Sequence, residues 1–224
     1  MNVKSVYPTG AVRTIVSKWD GNKGHPGWSL GITGAGSRNK PQTLVLQLCG
    51  DKPWKPTDPV EPIFSGLHID IGKPYFIAVS VHLDDATEKG ITFYARDLTN
   101  DDEPMQSVQI AHAVTSGIAC EAPLVIGGTP TGTGNLFDGL IDDVRLSDAA
   151  LGAEELLVTS PSPGEHTAGY WKFEPAPSPY TDGSGHGHDI SIAGQKGPQK
   201  DPRLTALIDL CHILLNSNEF LYLD

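Results

Sequence analysis

Residues 75–83 read YFIAVSVHL, and this stretch decides the fold class. Its apolar side chains recur at every second position, from Tyr75 to Leu83, while Ser80 and His82 stand between them. Successive side chains of a β-strand point to opposite faces of the sheet. The alternation therefore predicts a half-buried antiparallel strand whose apolar face packs on a second sheet.

The same alternation of apolar and polar residues occurs on both sides of this stretch, along most of the chain. The segments between the strands are rich in glycine and proline, and residues 51–62 alone contain four prolines, which is typical of loops. In chain order, strands are predicted at residues 3–7, 14–19, 28–33, 43–49, 75–83, 91–96, 106–114, 123–127, 137–146, 169–173 and 189–193. This number of short strands predicts an all-β chain with two packed antiparallel sheets.

Two stretches depart from the β pattern. A polar capping residue followed by helix formers predicts a short helix or helical turn at residues 147–157. Asp201 and Pro202 predict the start of a second, amphipathic helix over 202–216. We therefore expect one β domain at 1–194, a polar hinge at 195–200 and a helical tail at 201–224. The apolar face of that tail is expected to dock on the β domain or to self-associate; it comprises Leu204, Leu207, Ile208, Cys211 and Leu215.

Charge and hydropathy exclude several classes of function. The formal net charge of −11 argues against binding to nucleic acid or to an anionic membrane. No apolar run approaches the roughly 18 residues of a membrane span, and the first residues lack the apolar core of a signal peptide. The cysteines, Cys49, Cys120 and Cys211, have no C-x-x-C spacing, so they predict free thiols; a Cys49–Cys120 disulfide stays open for a secreted protein.

Two segments resemble laminin-G-like, concanavalin-A-like jelly-roll modules. The first is Gly127-Gly128 followed by residues 137–151, FDGLIDDVRLSDAAL; the second is residues 169–174, GYWKFE, followed by 182–188, DGSGHGH. The resemblance covers residues 1 to about 194 and implies a two-sheet jelly-roll sandwich. In the family the tyrosine-tryptophan strand usually opens the module, whereas here it follows the long strand. We expect residues 170–174 to lie antiparallel to the 137–146 segment.

The tail carries a second resemblance. Residues 207–224 are similar to the C-terminal end of large multidomain proteins of planctomycete bacteria, which combine a cytochrome-like segment with a jelly-roll module. This resemblance implies an extracytoplasmic setting, periplasmic or at the cell surface. It also suggests that the tail is the remnant of a larger domain.

Enzymatic motifs are weak in this sequence. A glycosidase on this scaffold needs two carboxylates across a cleft, and the Glu-x-Asp-x-x-Glu run that commonly supplies them does not occur. No G-x-S-x-G elbow marks a nucleophilic serine. We therefore expect a non-catalytic binding module for carbohydrate or protein. A spacer without a ligand of its own is the alternative, and a glycosidase-like enzyme ranks third.

Calcium is the cofactor for which the residues make a physical case. The run Asp182-Gly183-Ser184-Gly185 offers a carboxylate and backbone carbonyls, which are the oxygen ligands that calcium prefers. The resemblance implies that this loop lies near Asp142 and Asp143, where related modules hold calcium. The alternative is a simple turn in which Asp182 accepts hydrogen bonds from its own backbone.

A sugar site on this fold would need an exposed aromatic ring at a loop edge, because ring stacking supplies much of the contact with sugar faces. Trp54, in its proline-rich loop, and Tyr180, beside Asp182, are the candidate ligand-binding residues. Trp19, Trp28 and Trp171 alternate with polar residues and are predicted to lie in the core.

Overall fold

The computed structural model describes residues 1–130, 134–175 and 178–192. Its strands pair antiparallel throughout, and the chain divides into two compact units. The first unit contains residues 1–141 and 149–161, and the second contains 142–148 and the described residues from 162 onward. The predicted hinge at 195–200, the tail at 201–224 with its helix, and Cys211 lie outside the described residues.

The described residues of the first unit form ten strands and one short helical turn. The strands are β1 (Asn2–Val3), β2 (Val12–Lys18), β3 (Gly27–Thr33), β4 (Thr43–Cys49), β5 (Val60–His68), β6 (Tyr75–Val81), β7 (Ile91–Asp97), β8 (Gln106–Ile110), β9 (Val125–Ile126) and β10 (Gly139–Leu140). They form a five-stranded sheet in the order β5-β4-β3-β2-β9, a three-stranded sheet in the order β6-β7-β8, and a β1-β10 pair.

Both larger sheets of the first unit contribute to one hydrophobic core. Ile32, Leu44 and Leu46 of the five-stranded sheet belong to the same buried cluster as Ile91 and Phe93 of the three-stranded sheet. Burying a side chain of this size stabilises the folded state by about 1.5–3 kcal/mol. The alternating apolar residues noted in the sequence therefore hold the two sheets together.

One strand of this core was not predicted. The strand β5 (Val60–His68) begins inside the stretch that was assigned to a proline-rich loop, because Glu61, Pro62 and Gly66 all disfavour a strand. Proline is tolerated here because β5 is an edge strand that pairs only with β4. The positive φ of 74° at Gly66 lies near a shift in the β4-β5 register. The edge position therefore accommodates a sequence that reads as a loop.

The predicted strand at 137–146 is wrong as a single element. Gly139–Leu140 pairs with β1, whereas a separate strand, β11 (Val144–Ser147), pairs within the second unit. Asp143, just before β11, has a φ of 46°, and a non-glycine residue in this left-handed region breaks an extended strand.

Of the short helix or helical turn expected at 147–157, the structure forms the turn, a 3-10 turn at Ala153–Glu155. Residues 189–192 are not a strand, which corrects the prediction for 189–193 within its described part. Among the described residues, no helical segment has the length and apolar character required to cross a bilayer.

The second unit is organised around a two-stranded sheet. Strand β11 pairs with β12 (Thr167–Trp171), with Val144 opposite Trp171 and Leu146 opposite Gly169. This pairing confirms the predicted antiparallel neighbours, although the pairing ends at Trp171 and Phe173 lies outside it with a φ of 57°. Trp171 is buried, as is Trp19 in the first unit, which confirms both as core residues.

Candidate functional site

Asp182 lies in the loop that follows β12 and is buried, with 7% of its surface exposed. Its carboxylate accepts four hydrogen bonds: Oδ1 from the backbone N–H groups of Tyr170 and Ser184, both at 2.9 Å, and Oδ2 from Ser184 Oγ at 2.7 Å and the His188 N–H at 3.0 Å. Burial acts to raise the pKa of Asp182, but the hydrogen bonds from Ser184, Tyr170 and His188 outweigh it and hold the pKa well below its ordinary value.

The rest of this loop is tied to β12 by further hydrogen bonds. The Asp182 N–H donates to Asp189 Oδ1 at 2.9 Å, and the Gly183 N–H donates to the Tyr170 carbonyl at 2.7 Å. The indole N–H of Trp171 donates to the His188 carbonyl at 2.8 Å. The arrangement matches the simple-turn interpretation of Asp182, because the carboxylate fixes the backbone around it.

The other two predicted calcium ligands have different surroundings. Burial raises the pKa of Asp143, and the neighbouring charge of Asp142 raises it further. The Tyr170 hydroxyl donates to Asp143 Oδ1 at 3.4 Å. In the part of the chain that the structure describes, no three side chains of His, Cys, Asp or Glu form a group that could hold a metal ion. The structure therefore does not assemble Asp142, Asp143 and Asp182 into such a group.

Calcium binding stays a prediction, and thermal unfolding tests it. An ion that binds only the folded state raises the melting temperature by mass action, so millimolar calcium should shift the transition upward if the site exists. The double variant Asp142→Asn with Asp143→Asn should then abolish the shift, whereas Asp101→Asn, in an exposed turn, should retain it. An identical melting curve with calcium and with chelator leaves only the hydrogen-bonded turn.

The two aromatic candidates for sugar stacking differ in how they are held. Trp54 is half-buried against the core of the first unit, and Lys55 Nζ lies 3.8 Å from the centroid of its ring. A ring covered in this way has little free face to offer to a sugar. Tyr180 is half-buried in the second unit, where its carbonyl accepts a hydrogen bond from the Ile190 N–H at 2.9 Å.

An open groove with a volume of about 500 Å³ lies in the first unit, where the edge strands β5 and β8 approach each other. The loop between β3 and β4 contributes the cationic side chains of Arg38 and Lys40. The remaining lining residues are Asn39 in this loop, Glu61, Pro62, Ile63 and Phe64 in β5, Ile110 in β8 and Ala111 after it. We name this feature the β5-β8 groove.

Glu61 is the acidic residue of the β5-β8 groove, and its carboxylate is held by backbone donors. It is buried, with Oε1 and Oε2 accepting from the Ala113 N–H at 2.8 and 2.9 Å, and Oε2 also accepting from the Val114 N–H at 2.7 Å. These bonds fix the segment after β8 beside β5. The Glu61 carboxylate is therefore a structural group of the groove wall.

Sequence reasoning missed the β5-β8 groove. Its one local signal is the run Arg38-Asn39-Lys40, two cations in a short loop of an acidic chain. The position of that loop beside β5 and β8 depends on contacts between residues far apart in sequence. A strand that was itself not predicted, β5, forms one wall.

The described cysteines are free thiols. Cys49 and Cys120 are both free, so the disulfide left open by the sequence is not formed. Burial raises the pKa of the Cys49 thiol, and the charges of Asp20 and Asp58 raise it further. Because the thiolate is the nucleophilic form, this environment makes Cys49 unreactive.

Comparisons with known proteins add no assignment. A scan against protein-family models, a search of curated proteins and a search of solved structures each found no match to this chain.

Proposed function

We propose that this chain is a non-catalytic recognition module of the laminin-G-like jelly-roll class, which binds a carbohydrate or protein ligand in the β5-β8 groove. The groove is the observation that carries the proposal, because charged, amide and apolar side chains from three segments of the first unit converge on it. Convergent polar groups on a concave surface orient a ligand in a binding site.

The fold is consistent with the jelly-roll sandwich that the resemblance implies. Two antiparallel sheets of the first unit share one core, and the tyrosine-tryptophan strand pairs with the strand of the FDGLIDDVRLS motif. The extracytoplasmic setting is proposed on the resemblance of the tail alone.

A recognition role is also compatible with the hydrogen bonding of the buried carboxylates. Glu61 and Asp182 are both occupied by backbone hydrogen bonds that organise the loops around them. A general acid or nucleophile must be within reach of a substrate atom. These two carboxylates are directed at the protein itself, so they serve as structural anchors.

The proposal is tested by probing glycan and peptide arrays with the chain, in the presence and absence of calcium. Ala111→Trp should obstruct the groove, because Ala111 lines it and is exposed. Any ligand of the groove should then bind at least roughly tenfold more weakly, which corresponds to about 1.4 kcal/mol. Ala86→Trp is the matched control, an exposed alanine in the turn between β6 and β7 that does not line the groove.

Two results would count against this function. The first is the absence of any bound ligand on either array, which favours the spacer without a ligand of its own. The second is a ligand whose binding is equally strong in the parent chain and in Ala111→Trp, which places the binding site elsewhere.

A further inference from the structure

We infer that the β5-β8 groove binds an extended acidic segment of a partner protein, with carboxylates against Arg38 and Lys40 and aliphatic side chains on the groove floor. This inference rests on the proposed function and specifies the class of its ligand.

The two cationic side chains of the groove are available to bind an anionic group. Arg38 and Lys40 are exposed, and within the described ranges neither side chain takes part in an ion pair or a hydrogen bond. The chain as a whole has 27 acidic and 16 basic residues, so two neighbouring cations without an acidic partner stand out from the surface around them. Such a pair attracts an anionic ligand.

The loop that presents these cations is held in place. Thr33 Oγ1 donates to the Lys40 carbonyl at 2.8 Å, and the Thr43 N–H donates to Thr33 Oγ1 at 3.0 Å. The Lys40 side chain lies against Gly66, where a Cβ atom would come within 2.8 Å of Lys40 Nζ. Since Gly66 has no side chain, the lysine fits along β5. A loop fixed before binding loses less conformational entropy when the ligand arrives.

Apolar residues form the floor of the groove, beside its polar and charged lining. Pro62, Phe64 and Ile110 are half-buried, and Ile63 is buried in the core of the first unit beneath them. The Glu61 carboxylate, the acidic group of the lining, is buried, and the N–H groups of Ala113 and Val114 that donate to it offset part of its negative charge. An aliphatic floor suits the side chains of a peptide, whereas sugar faces are better matched by an exposed aromatic ring.

An extended peptide can contact the cationic side chains and the apolar floor of the groove at the same time. Its successive side chains point in opposite directions, so alternating acidic and aliphatic residues place carboxylates on one side and apolar groups on the other. Pro62 has no N–H, which removes a backbone donor from the edge strand β5 at that position. Recognition is therefore expected to depend on side chains more than on addition of a strand to the sheet.

Fluorescence anisotropy of labelled hexapeptides tests the inference with the full chain. A peptide that alternates glutamate and valine should bind, and one that alternates lysine and valine should not. The double variant Arg38→Gln with Lys40→Gln should weaken binding roughly three- to thirtyfold, because each exposed ion pair contributes a modest amount. Raising NaCl from about 0.05 M to about 0.5 M should also weaken it. Ile110→Thr should weaken it by roughly threefold or more, because the floor loses apolar contact.

The matched control is Lys52→Gln with Lys89→Gln, which removes the same charge from exposed positions that do not line the groove. It should bind the acidic peptide like the parent chain. Two results overturn the inference. The first is that the basic peptide binds as strongly as the acidic peptide. The second is that the acidic peptide binds the double variant Arg38→Gln with Lys40→Gln as strongly as it binds the parent chain. Trigalacturonate, an acidic trisaccharide, separates this inference from the proposed function. If it binds the parent chain, if Ala111→Trp weakens that binding, and if the acidic peptide does not bind, the inference fails while the proposed recognition function stands. If no probe on the arrays or in solution binds the groove, both fail.

Discussion

Replacing Asp182 with asparagine is expected to lower the free energy of unfolding of the second unit by about 2–4 kcal/mol. The Asp182 carboxylate accepts four hydrogen bonds in a buried position, two of them at each oxygen. Asparagine keeps one acceptor oxygen and places an NH₂ group where the other oxygen stood, so two donors lose their partner. Urea denaturation, with hydrogen exchange of the amides of residues 167–190, measures the loss.

The control for this substitution is Asp101→Asn, which changes charge in the same way at an exposed turn. It should alter stability by less than about 0.5 kcal/mol. A loss for Asp182→Asn that is no larger than that of Asp101→Asn would show that the carboxylate does not organise the loop.

The same carboxylate predicts a dependence of stability on pH. Because the folded protein holds the pKa of Asp182 below its ordinary value, the unfolded chain takes up the proton first as the pH falls. The stabilisation is therefore fully present above the unfolded pKa of about 3.9 and is lost progressively at lower pH. The difference in unfolding free energy between the parent and Asp182→Asn should be constant above about pH 5 and should shrink below about pH 4. A difference that grows as the pH falls contradicts this assignment.

Replacing Glu61 with glutamine is expected to cost about 1.5–3 kcal/mol of the stability of the first unit. The Glu61 carboxylate accepts from the N–H groups of Ala113 and Val114, and it is buried. In the glutamine variant an oxygen at the Oε2 position can still accept from both N–H groups, but the NH₂ group then faces the Ala113 N–H, so two donors meet and the charge that strengthened these hydrogen bonds is lost. The amides of residues 113 and 114 should exchange faster with solvent, and the urea midpoint should fall. Glu88→Gln, an exposed glutamate, should leave both unchanged.

Glu61 and Asp182 show why the sequence could not identify its own anchoring residues. Glu61 stands in a proline-rich stretch and reads as a solvated loop residue, and its hydrogen-bond partners lie more than fifty positions away. Asp182 stands in an Asp-Gly-Ser-Gly run that is compatible with a calcium loop as well as with a simple turn. The structural role of each carboxylate is recognised by its burial and by the hydrogen-bond donors that surround it. Neither property can be seen in a local sequence pattern.

The β class and the positions of most strands follow from local patterns in the sequence. Alternation of apolar residues is a local property, so strand β4 was predicted with its observed bounds, and strands β3, β6 and β7 within two residues at either end. The pairing of β11 with β12 was also predicted, because both segments resemble parts of one family module.

The remaining features of the fold and of the groove depend on tertiary contacts. Strand β5 exists because an edge position tolerates Pro62 and because Ala113 and Val114 compensate the buried charge of Glu61. The predicted 137–146 strand breaks because Asp143 adopts a positive φ. The β5-β8 groove forms where two sheet edges and the Arg38–Lys40 loop meet. Each of these features depends on contacts between residues distant in sequence, whose burial and hydrogen bonding override the local preferences that a sequence pattern records.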